Sequence, residues 1–420
     1  MGVTLPPLLE LVPLSGPVQA EVTIPGSKSI TNRALFLAAV TSGTSTLRGA
    51  LWSDDTEVMV NCLKILGIDV TVIADPHEAV NRTMIVEGKG GRIAPGGTRE
   101  QPLELFVGNA GTAARFIAAL VCLGQGNYRL SGTPRMHERP QRSLFVALRE
   151  LGYPVESAND KLPVIINGLG TRPGARCRVG IDESSQFASA LLLAATRGGW
   201  QITMEGESAE ESSYVRLTSE MIAAFPDHGG TFAIEPDASS ASYFWAAGWI
   251  LGKRAATQSS RVCVANWMDR SSQIDARFRD VIQTFPDRLS RRHDLGDSIM
   301  TAAVLAPFAD RPKTFVDLGR LRVQESERVQ ALHAELRKCG ASVTEEGDTL
   351  RILPGPLHGA EIETYDDHRI AMCFAVLGLV VPGIRIRNPD CVKKTFPNFF
   401  EKLAQPPPEG LGVKVRTELS

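Results

Sequence analysis

Apolar and polar residues alternate in two ways along this chain. Short stretches such as DVTVI and RTMIV carry apolar residues at every second position or in brief runs, as strands do. Longer stretches are apolar, rich in small residues, and follow directly on a turn of Gly, Asp, Asn or Ser. Six copies of the second kind occur: PGSKSITNRALFLAAV from Pro25, GNAGTAARFIAALV from Gly108, DESSQFASALLLAA from Asp182, PDASSASYFWAAGWI from Pro236, LGDSIMTAAVLA from Leu295 and DDHRIAMCFAVLG from Asp366. Each predicts a helix N-terminus with capping residues in place. Free N–H groups and a partial positive charge at such a terminus attract anions. Six such starts predict an internal repeat whose helix N-termini gather around a multiply anionic ligand.

Between these helices the order is also repeated. DDTEVMVNCLKILGIDVTVI followed by RTMIVEGKG reads as helix, strand, turn and strand. RPQRSLFVALRELGYPVESANDKLPVIINGLG and SERVQALHAELRKCGASVTEEGDTLRILPG read the same way. Two middle units lack the hairpin, because their helices stop at Phe-Pro-Asp (Phe225 and Phe285) and run on toward the next capped helix. GVKVRTELS is the expected terminal strand. Strands alternating with helices indicate an α/β (α+β) class. With three units per domain, one domain is expected over 21–235. The other takes 236–420 together with the N-terminal strand in 1–20.

Composition narrows the setting. The 420 residues carry 45 Lys and Arg against 47 Asp and Glu, so no basic excess points to nucleic acid. An anion site must come from local clusters. The seven cysteines are scattered without a CxxC pair, as in a reducing cytosol. No apolar run is long enough to span a bilayer, and MGVTLPPLLE lacks the basic start of a secretory signal. A soluble cytoplasmic globular protein is expected, with no membrane or nucleic-acid partner; a monomer is compatible with this, and the oligomeric state is left open.

Three clusters carry chemistry. In Pro25-Gly26-Ser27-Lys28-Ser29, Lys28 stands at a helix mouth with Arg33 one turn inside. Taken alone, a Gly turn followed by two solvated charges fits equally well. The stretch is no Walker loop, since GxxxxGK[ST] is absent. In Thr133-Pro134-Arg135-Met136-His137-Glu138-Arg139-Pro140, prolines at both ends stiffen a basic turn that, taken alone, reads better as a plain surface turn. Asp366-Asp367-His368-Arg369 opens the last apolar helix. No second His or carboxylate pair stands at ligand spacing, so a cap by Asp366 or Asp367 is simpler than a metal site.

Taken together, PGSKSITNRAL, LFVGNAGTAARF, PRMHERP, SSQF, DASSASYF, DDHRIAM and KKTFPNFF resemble the EPSP synthase family, in that family's order and over nearly the whole chain. The sister family that transfers enolpyruvyl to a UDP-sugar has a Lys-Asn opening and a reactive loop Cys, which are missing here. The resemblance implies an inside-out α/β barrel in two domains of three βαβαββ units, with helices inside sheets and a cleft between. It also implies transfer of enolpyruvyl from phosphoenolpyruvate to the 5-hydroxyl of shikimate 3-phosphate, without metal or cofactor. Lys28 would contact both substrates, and Ser29 and Arg33 would hold the shikimate carboxylate. Gly111, Arg135, Arg328, Arg369 and Lys394 would bind phosphoenolpyruvate. Ser184 and Ser185 would face the acceptor phosphate, Gln186 would touch both ligands, and Tyr214 would lie on the acceptor side. Asp297 would be the acid/base at the acceptor hydroxyl. Glu325 would handle the proton at the methylene carbon, with Lys28 and His368 assisting.

The chain departs from the family on the acceptor side. Glu211 stands where the family has Ser, Arg320 where it has Asn, and Gln324 where it has Lys. A Glu about 4 Å from a phosphate oxygen would cost on the order of 4 kcal/mol at an effective dielectric near 20. Either Arg320 takes over the phosphate, or Glu211 and Arg320 pair and the acceptor carries no phosphate there. An ordinary transferase, a relative acting on a changed shikimate-like acid by transfer or elimination, and a non-catalytic metabolite-binding paralogue are the three readings. The survival of Lys28, Asp297, Glu325, Arg328 and His368 together weighs against the third.

Overall fold

The computed structural model describes residues 5–181, 184–206, 209–254, 260–268 and 270–416, apart from the side chains of 209–212 and 254. The turn residues Asp182 and Glu183 and the Glu211 side chain lie outside the described residues.

All six apolar stretches are helical: Lys28–Val40, Gly111–Leu120, Ser185–Gly198, Ala238–Arg254, Ile299–Leu305 and His368–Gly378. Their burial follows from their composition, since a helix without a polar stripe has no face to give to water. Every residue of Gly111–Leu120 is buried, as is every residue of His368–Gly378 except Arg369. The expected caps form only in part. Ser184, Asp237 and Asp367 accept N–H groups of the first turn on their side chains. Ser27 and Ala110 do not. The helix expected from Leu295 begins at Ile299, and its entry turn is held by Asp275, which accepts from Gly296 N at 2.7 Å and Ser298 N at 3.1 Å.

The chain divides into two compact units, Gly26–Glu235 and a discontinuous one made of Met1–Pro25 with Pro236–Ser420. In the first, the Lys28, Gly111 and Ser185 helices all touch one another. In the second, the Ala238, Ile299 and His368 helices do the same. Alanines at the contacts allow this close approach, and each trio forms the centre of a hydrophobic core.

Four four-stranded sheets share one pattern: a parallel pair followed by two antiparallel pairings. In Gly26–Glu235 the strand orders are Gly230–Ala233, Ser42–Leu51, Asn81–Lys89, Asp69–Ala74 and Leu103–Phe106, Gln125–Ser131, Val164–Leu169, Val155–Glu156. In the other unit they are Arg288–Ser290, Lys313–Val316, Thr349–Ile352, Val343–Glu346 and Glu361–Ile362, Arg385–Arg387, Leu8–Val12, Lys414–Arg416. Register is set by the buried face, as where Leu47 lies opposite both Phe232 and Met84. Two further sheets are single parallel pairs, Arg176–Gly180 with Gln201–Glu205 and Gln19–Val22 with Arg261–Val264. No helix among the described residues is long and apolar enough to cross a membrane.

Candidate active site

In Gly26–Glu235 the helix starts collect cations. Gly26 N donates to Asn81 Oδ1 at 2.9 Å. A Cβ at Gly26 would lie 2.0 Å from the Gly49 carbonyl oxygen, so only glycine fits this turn. The turn delivers Lys28 as the first helical residue. Lys28 Nζ sits 2.9 Å from Asp55 Oδ2, at the start of the helix Asp54–Ile65. Arg33 is buried one turn further in. Its Nε donates to Thr218 Oγ1 at 2.8 Å, Nη2 to Ser189 Oγ at 2.9 Å and Nη1 to the Ser29 carbonyl at 2.9 Å. The Phe116 and Tyr214 rings lie over the guanidinium. Burial pulls its pKa down to about 10, opposed by Tyr214. This buried cation is held by hydroxyls, a carbonyl and ring faces.

Gly111 opens the second helix between two buried arginines. A Cβ there would meet Arg115 Nη1 at 2.5 Å and Arg139 Nη2 at 2.6 Å. Arg139 Nη1 donates to the Asn109 carbonyl at 3.2 Å, and Arg115 Nη2 to the Pro140 carbonyl at 2.8 Å. Gln186 ties this corner to the third helix: its Oε1 accepts from Arg115 Nη1 at 3.4 Å, and its Nε2 donates to Thr112 Oγ1 at 3.3 Å. Ser184 and Ser185 are buried at the same helix start. Arg135, on the short helix Pro134–Glu138, is more exposed and pairs with Glu138 at 2.7 Å.

In the other unit the starts of the helices Ile299–Leu305, His368–Gly378 and Arg328–Lys338 meet at Asp297. Its Oδ1 accepts from Arg291 Nη2 at 2.9 Å. Its Oδ2 lies 2.9 Å from Arg369 Nε and 3.4 Å from Arg328 Nη1. Burial alone would push this carboxyl up. The Arg369, Arg328 and Arg291 guanidiniums outweigh it and hold Asp297 well below the usual carboxylate range. Arg369 also donates to Tyr243 OH at 3.4 Å, in the second turn of the Ala238 helix.

Arg328 is the hub. Asp367 takes its Nε at 2.7 Å and Nη2 at 3.1 Å, and Glu325 lies 2.9 Å from Nη2. Burial works against its charge, but Asp367, Glu325 and Asp297 raise its pKa above the ordinary arginine value. Gln324 Oε1 accepts from Arg328 Nη1. Lys394 Nζ is 3.7 Å from Glu325 Oε1. His368 is buried with Nδ1 3.8 Å from Asp367 Oδ1. Arg320 is half-buried on the 3-10 turn Gly319–Val323. Among the described residues no group of three or more His, Cys, Asp or Glu is placed to hold a metal ion.

The expected residues therefore fall into two sets, one in each unit. Lys28, Ser29, Arg33, Gly111, Arg135, Ser184, Ser185, Gln186 and Tyr214 lie in one. Asp297, Arg320, Gln324, Glu325, Arg328, His368, Arg369 and Lys394 lie in the other. Sequence reasoning missed Asp55, Arg115, Asp275 and Arg291. Each acts on a residue that was singled out. Arg115 stands in one of the family motifs, and none of the other three stands at a spacing that marks it.

Comparison with known proteins decides the family. The family model for EPSP synthase (3-phosphoshikimate 1-carboxyvinyltransferase) matches residues 13–228 and 225–403. The chain belongs to the EPSP synthase family. The 3-phosphoshikimate 1-carboxyvinyltransferase of Nostoc punctiforme is 38% identical over 430 residues, covering 94% of this chain and 98% of that protein. The enzyme of the same name from Pseudomonas syringae is 37% identical, covering 97% and 98%. Among solved structures, EPSP synthase from Acinetobacter baumannii superposes with a TM-score of 0.70 at 19% identity, covering 97% of this chain and 99% of the other. The enolpyruvyl transferase NikO from Streptomyces tendae gives 0.63 at 16% identity, covering 99% of each chain. These structures share the mixed α/β fold.

Proposed function

We propose that this member of the EPSP synthase family transfers the enolpyruvyl group of phosphoenolpyruvate to the 5-hydroxyl of shikimate 3-phosphate and releases phosphate. The observation that carries this reading is the lattice of Asp297 and Glu325 around Arg328. It holds two carboxylates in unlike surroundings beside guanidiniums that an incoming carboxylate can claim. Addition of a hydroxyl across an enol double bond needs a base at oxygen and an acid at carbon. Asp297 takes the hydroxyl proton as the oxygen attacks C2 of phosphoenolpyruvate. Glu325, assisted by Lys28 and His368, supplies the proton that turns the methylene into a methyl group. The resulting tetrahedral intermediate loses phosphate with the C–O electron pair, and the leaving phosphate takes up the proton that Asp297 holds. Return of the methyl proton to Glu325 restores the double bond.

Binding roles follow the same reading. Arg328, Arg369, Lys394, Arg135, Lys28, Gln186 and the Gly111 corner hold phosphoenolpyruvate. Each charge-assisted hydrogen bond contributes roughly 1.5–3 kcal/mol. Arg33, with hydroxyl, carbonyl and ring neighbours, takes the acceptor carboxylate together with Ser29. Ser184, Ser185, Arg320 and Tyr214 line the remainder of the acceptor. The two units act as the two enolpyruvyl-transferase domains of an inside-out α/β barrel with six repeats. Four sheets of one pattern and two lone strand pairs support this, the lone pairs being the repeats without hairpins. The enzyme works in the cytoplasm, where its seven free cysteines stay reduced.

One observation favours a second reading. Gln324, standing where the family has Lys, spends its side-chain oxygen on Arg328 and offers no cation to a phosphate. An acceptor of shikimate type without the 3-phosphate fits that position. Phosphate release from phosphoenolpyruvate, measured with shikimate 3-phosphate, with shikimate and with neither, separates the two. Turnover with the phosphorylated acceptor alone supports the first reading. Turnover with shikimate alone supports the second. Silence with both acceptors rejects the first reading and rejects shikimate itself as the acceptor of the second.

A further inference from the structure

We propose that Arg291 is a positioning residue for Asp297: it fixes one carboxylate oxygen and keeps it ionised, so that substrate binding frees only the other. The inference rests on the reading of Asp297 as the base at the acceptor hydroxyl. The two oxygens of Asp297 have different owners. Oδ1 is bound by Arg291 Nη2 at 2.9 Å. Oδ2 is bound by Arg369 and Arg328, the two arginines assigned to the phosphoenolpyruvate carboxylate. An incoming carboxylate competes with Oδ2 for those guanidiniums and leaves Oδ1 untouched.

The backbone supports this division. Arg291 follows the strand Arg288–Ser290, and its N–H donates to the Val316 carbonyl at 3.1 Å. The loop between Arg291 and Asp297 is closed by Asp294 N and Leu295 N, which donate to the Ser290 carbonyl at 3.0 and 3.2 Å, and by Asp294 Oδ2, which accepts from Ser290 N at 2.8 Å. Asp275 then grips the amides on both sides of Asp297, those of Gly296 and Ser298. Arg291 and Asp297 are thus held on one fixed loop. Arg328 and Arg369 come from two other helices and have other carboxylates to turn to. Arg328 keeps Asp367 and Glu325, and Arg369 is attracted by Asp237 and Asp275 and meets the Tyr243 hydroxyl. Arg291 is 2% exposed, so its pairing is shielded from salt and solvent.

Among the described residues, the charged groups facing Asp297 are Arg291 from its own loop, Arg328 from the helix Arg328–Lys338 and Arg369 from the helix His368–Gly378. With substrate on the last two, Arg291 alone holds the carboxylate in its ionised, basic form. Oδ2 is then the oxygen that faces the hydroxyl proton.

The test uses initial rates of phosphate release across pH, at saturating substrates, for the wild type, Arg291→Met, Arg291→Lys and Asp297→Asn. Arg291→Met is expected to lower kcat by about ten- to hundredfold while KM for phosphoenolpyruvate moves by less than about threefold. Its acid limb should move up by about one pH unit or more, because losing a cation favours the protonated carboxyl. Arg291→Lys should bring the limb back. A fall in kcat with an unmoved acid limb overturns the proposal and leaves Arg291 a structural residue. A rise in KM alone also overturns it, placing Arg291 on the substrate itself. The second arm needs no turnover: the Asp297 carboxyl carbon is titrated by NMR with and without phosphoenolpyruvate in the wild type and Arg291→Lys. The ligand should raise the midpoint in both while Asp297 stays ionised at neutral pH. A midpoint unchanged by the ligand overturns the division between the oxygens, and Asp297 protonated at neutral pH in the liganded wild type overturns the role of Arg291. If the wild type turns over no acceptor, the function fails, but this arm still decides about Arg291.

Discussion

Lys28 Nζ lies 2.9 Å from Asp55 Oδ2, with the two side chains 16% and 6% exposed. The first helix mouth is thereby charge-balanced before any ligand arrives, and Lys28 is held in one orientation. Removing the acid leaves a largely buried ammonium without its partner. Asp55→Ala should cost up to about 3 kcal/mol of folding free energy, measured by urea unfolding. It should also lower kcat/KM for phosphoenolpyruvate by tenfold or more, as a loose Lys28 samples other positions, by about 1.4 kcal/mol per factor of ten. A variant as stable and as active as the wild type would show the pair to be idle.

Gly111 makes a sharper case, because the added atom is a single methyl. Its Cβ would enter within 2.6 Å of the Arg115 and Arg139 guanidiniums. Helical alanine is favourable by about 1 kcal/mol over glycine, so Gly111→Ala should fold with little change in melting temperature. The two guanidinium ends must shift instead. KM for phosphoenolpyruvate should rise about tenfold or more with a smaller change in kcat. An unaltered KM would remove this corner from the substrate site.

The charge state of Asp297 gives a pH prediction. Its folded pKa is depressed, so its contribution to stability is fully present above the unfolded value near 4 and is lost progressively as pH falls from there through the much lower folded value. The stability deficit of Asp297→Asn should thus be constant from about pH 8 to about pH 5 and shrink at more acid pH. The deficit should be about 3–5 kcal/mol, as for other buried pairs broken on one side. Chemical unfolding at several pH values tests both points. A deficit that changes between pH 8 and pH 5 contradicts the charge clamp.

Asp275 tests the backbone beneath Asp297. Its Oδ1 accepts from Gly296 N at 2.7 Å, Ser298 N at 3.1 Å and Ser298 Oγ at 2.6 Å. Asp275→Ala leaves buried donors unmatched, at about 1–3 kcal/mol each for the worst placed. Stability and kcat should fall together, with Asp275→Asn recovering part of both, since an amide oxygen still accepts. Loss of stability with full kcat would mean that Asp297 does not depend on this grip.

The helices were legible because their signal is local. A Gly or Asp turn before a run of Ala, Leu and Phe marks Lys28–Val40 and His368–Gly378 without knowledge of anything else. The Phe-Pro-Asp stops were legible for the same reason, and the strand Gly230–Ala233 follows the first of them. The caps were only half legible. Ser27 and Ala110 make no side-chain cap, and the entry to Ile299–Leu305 is capped by Asp275, a residue more than 20 positions earlier. The site shows the same limit. Arg115 and Arg369 stand in recognisable motifs, but Asp55 and Arg291 are ordinary charges in ordinary helices and loops. Only folding brings each to its partner, and no periodicity encodes a pairing across 27 residues such as that of Lys28 with Asp55.

The strand Leu8–Val12 lies between Arg385–Arg387 and Lys414–Arg416, so once made it must wait for partners synthesised much later. At about 5–20 residues per second, the stretch Gly26–Glu235 can finish folding well before Lys414 leaves the exit tunnel. During that interval the N-terminal strands have no sheet to join. A nascent chain arrested shortly beyond Glu235 should therefore show a protease-resistant body with a cleavable leader. This segment should become resistant only when the strand Lys414–Arg416 emerges, which makes that sheet a late clasp on the order of maturation.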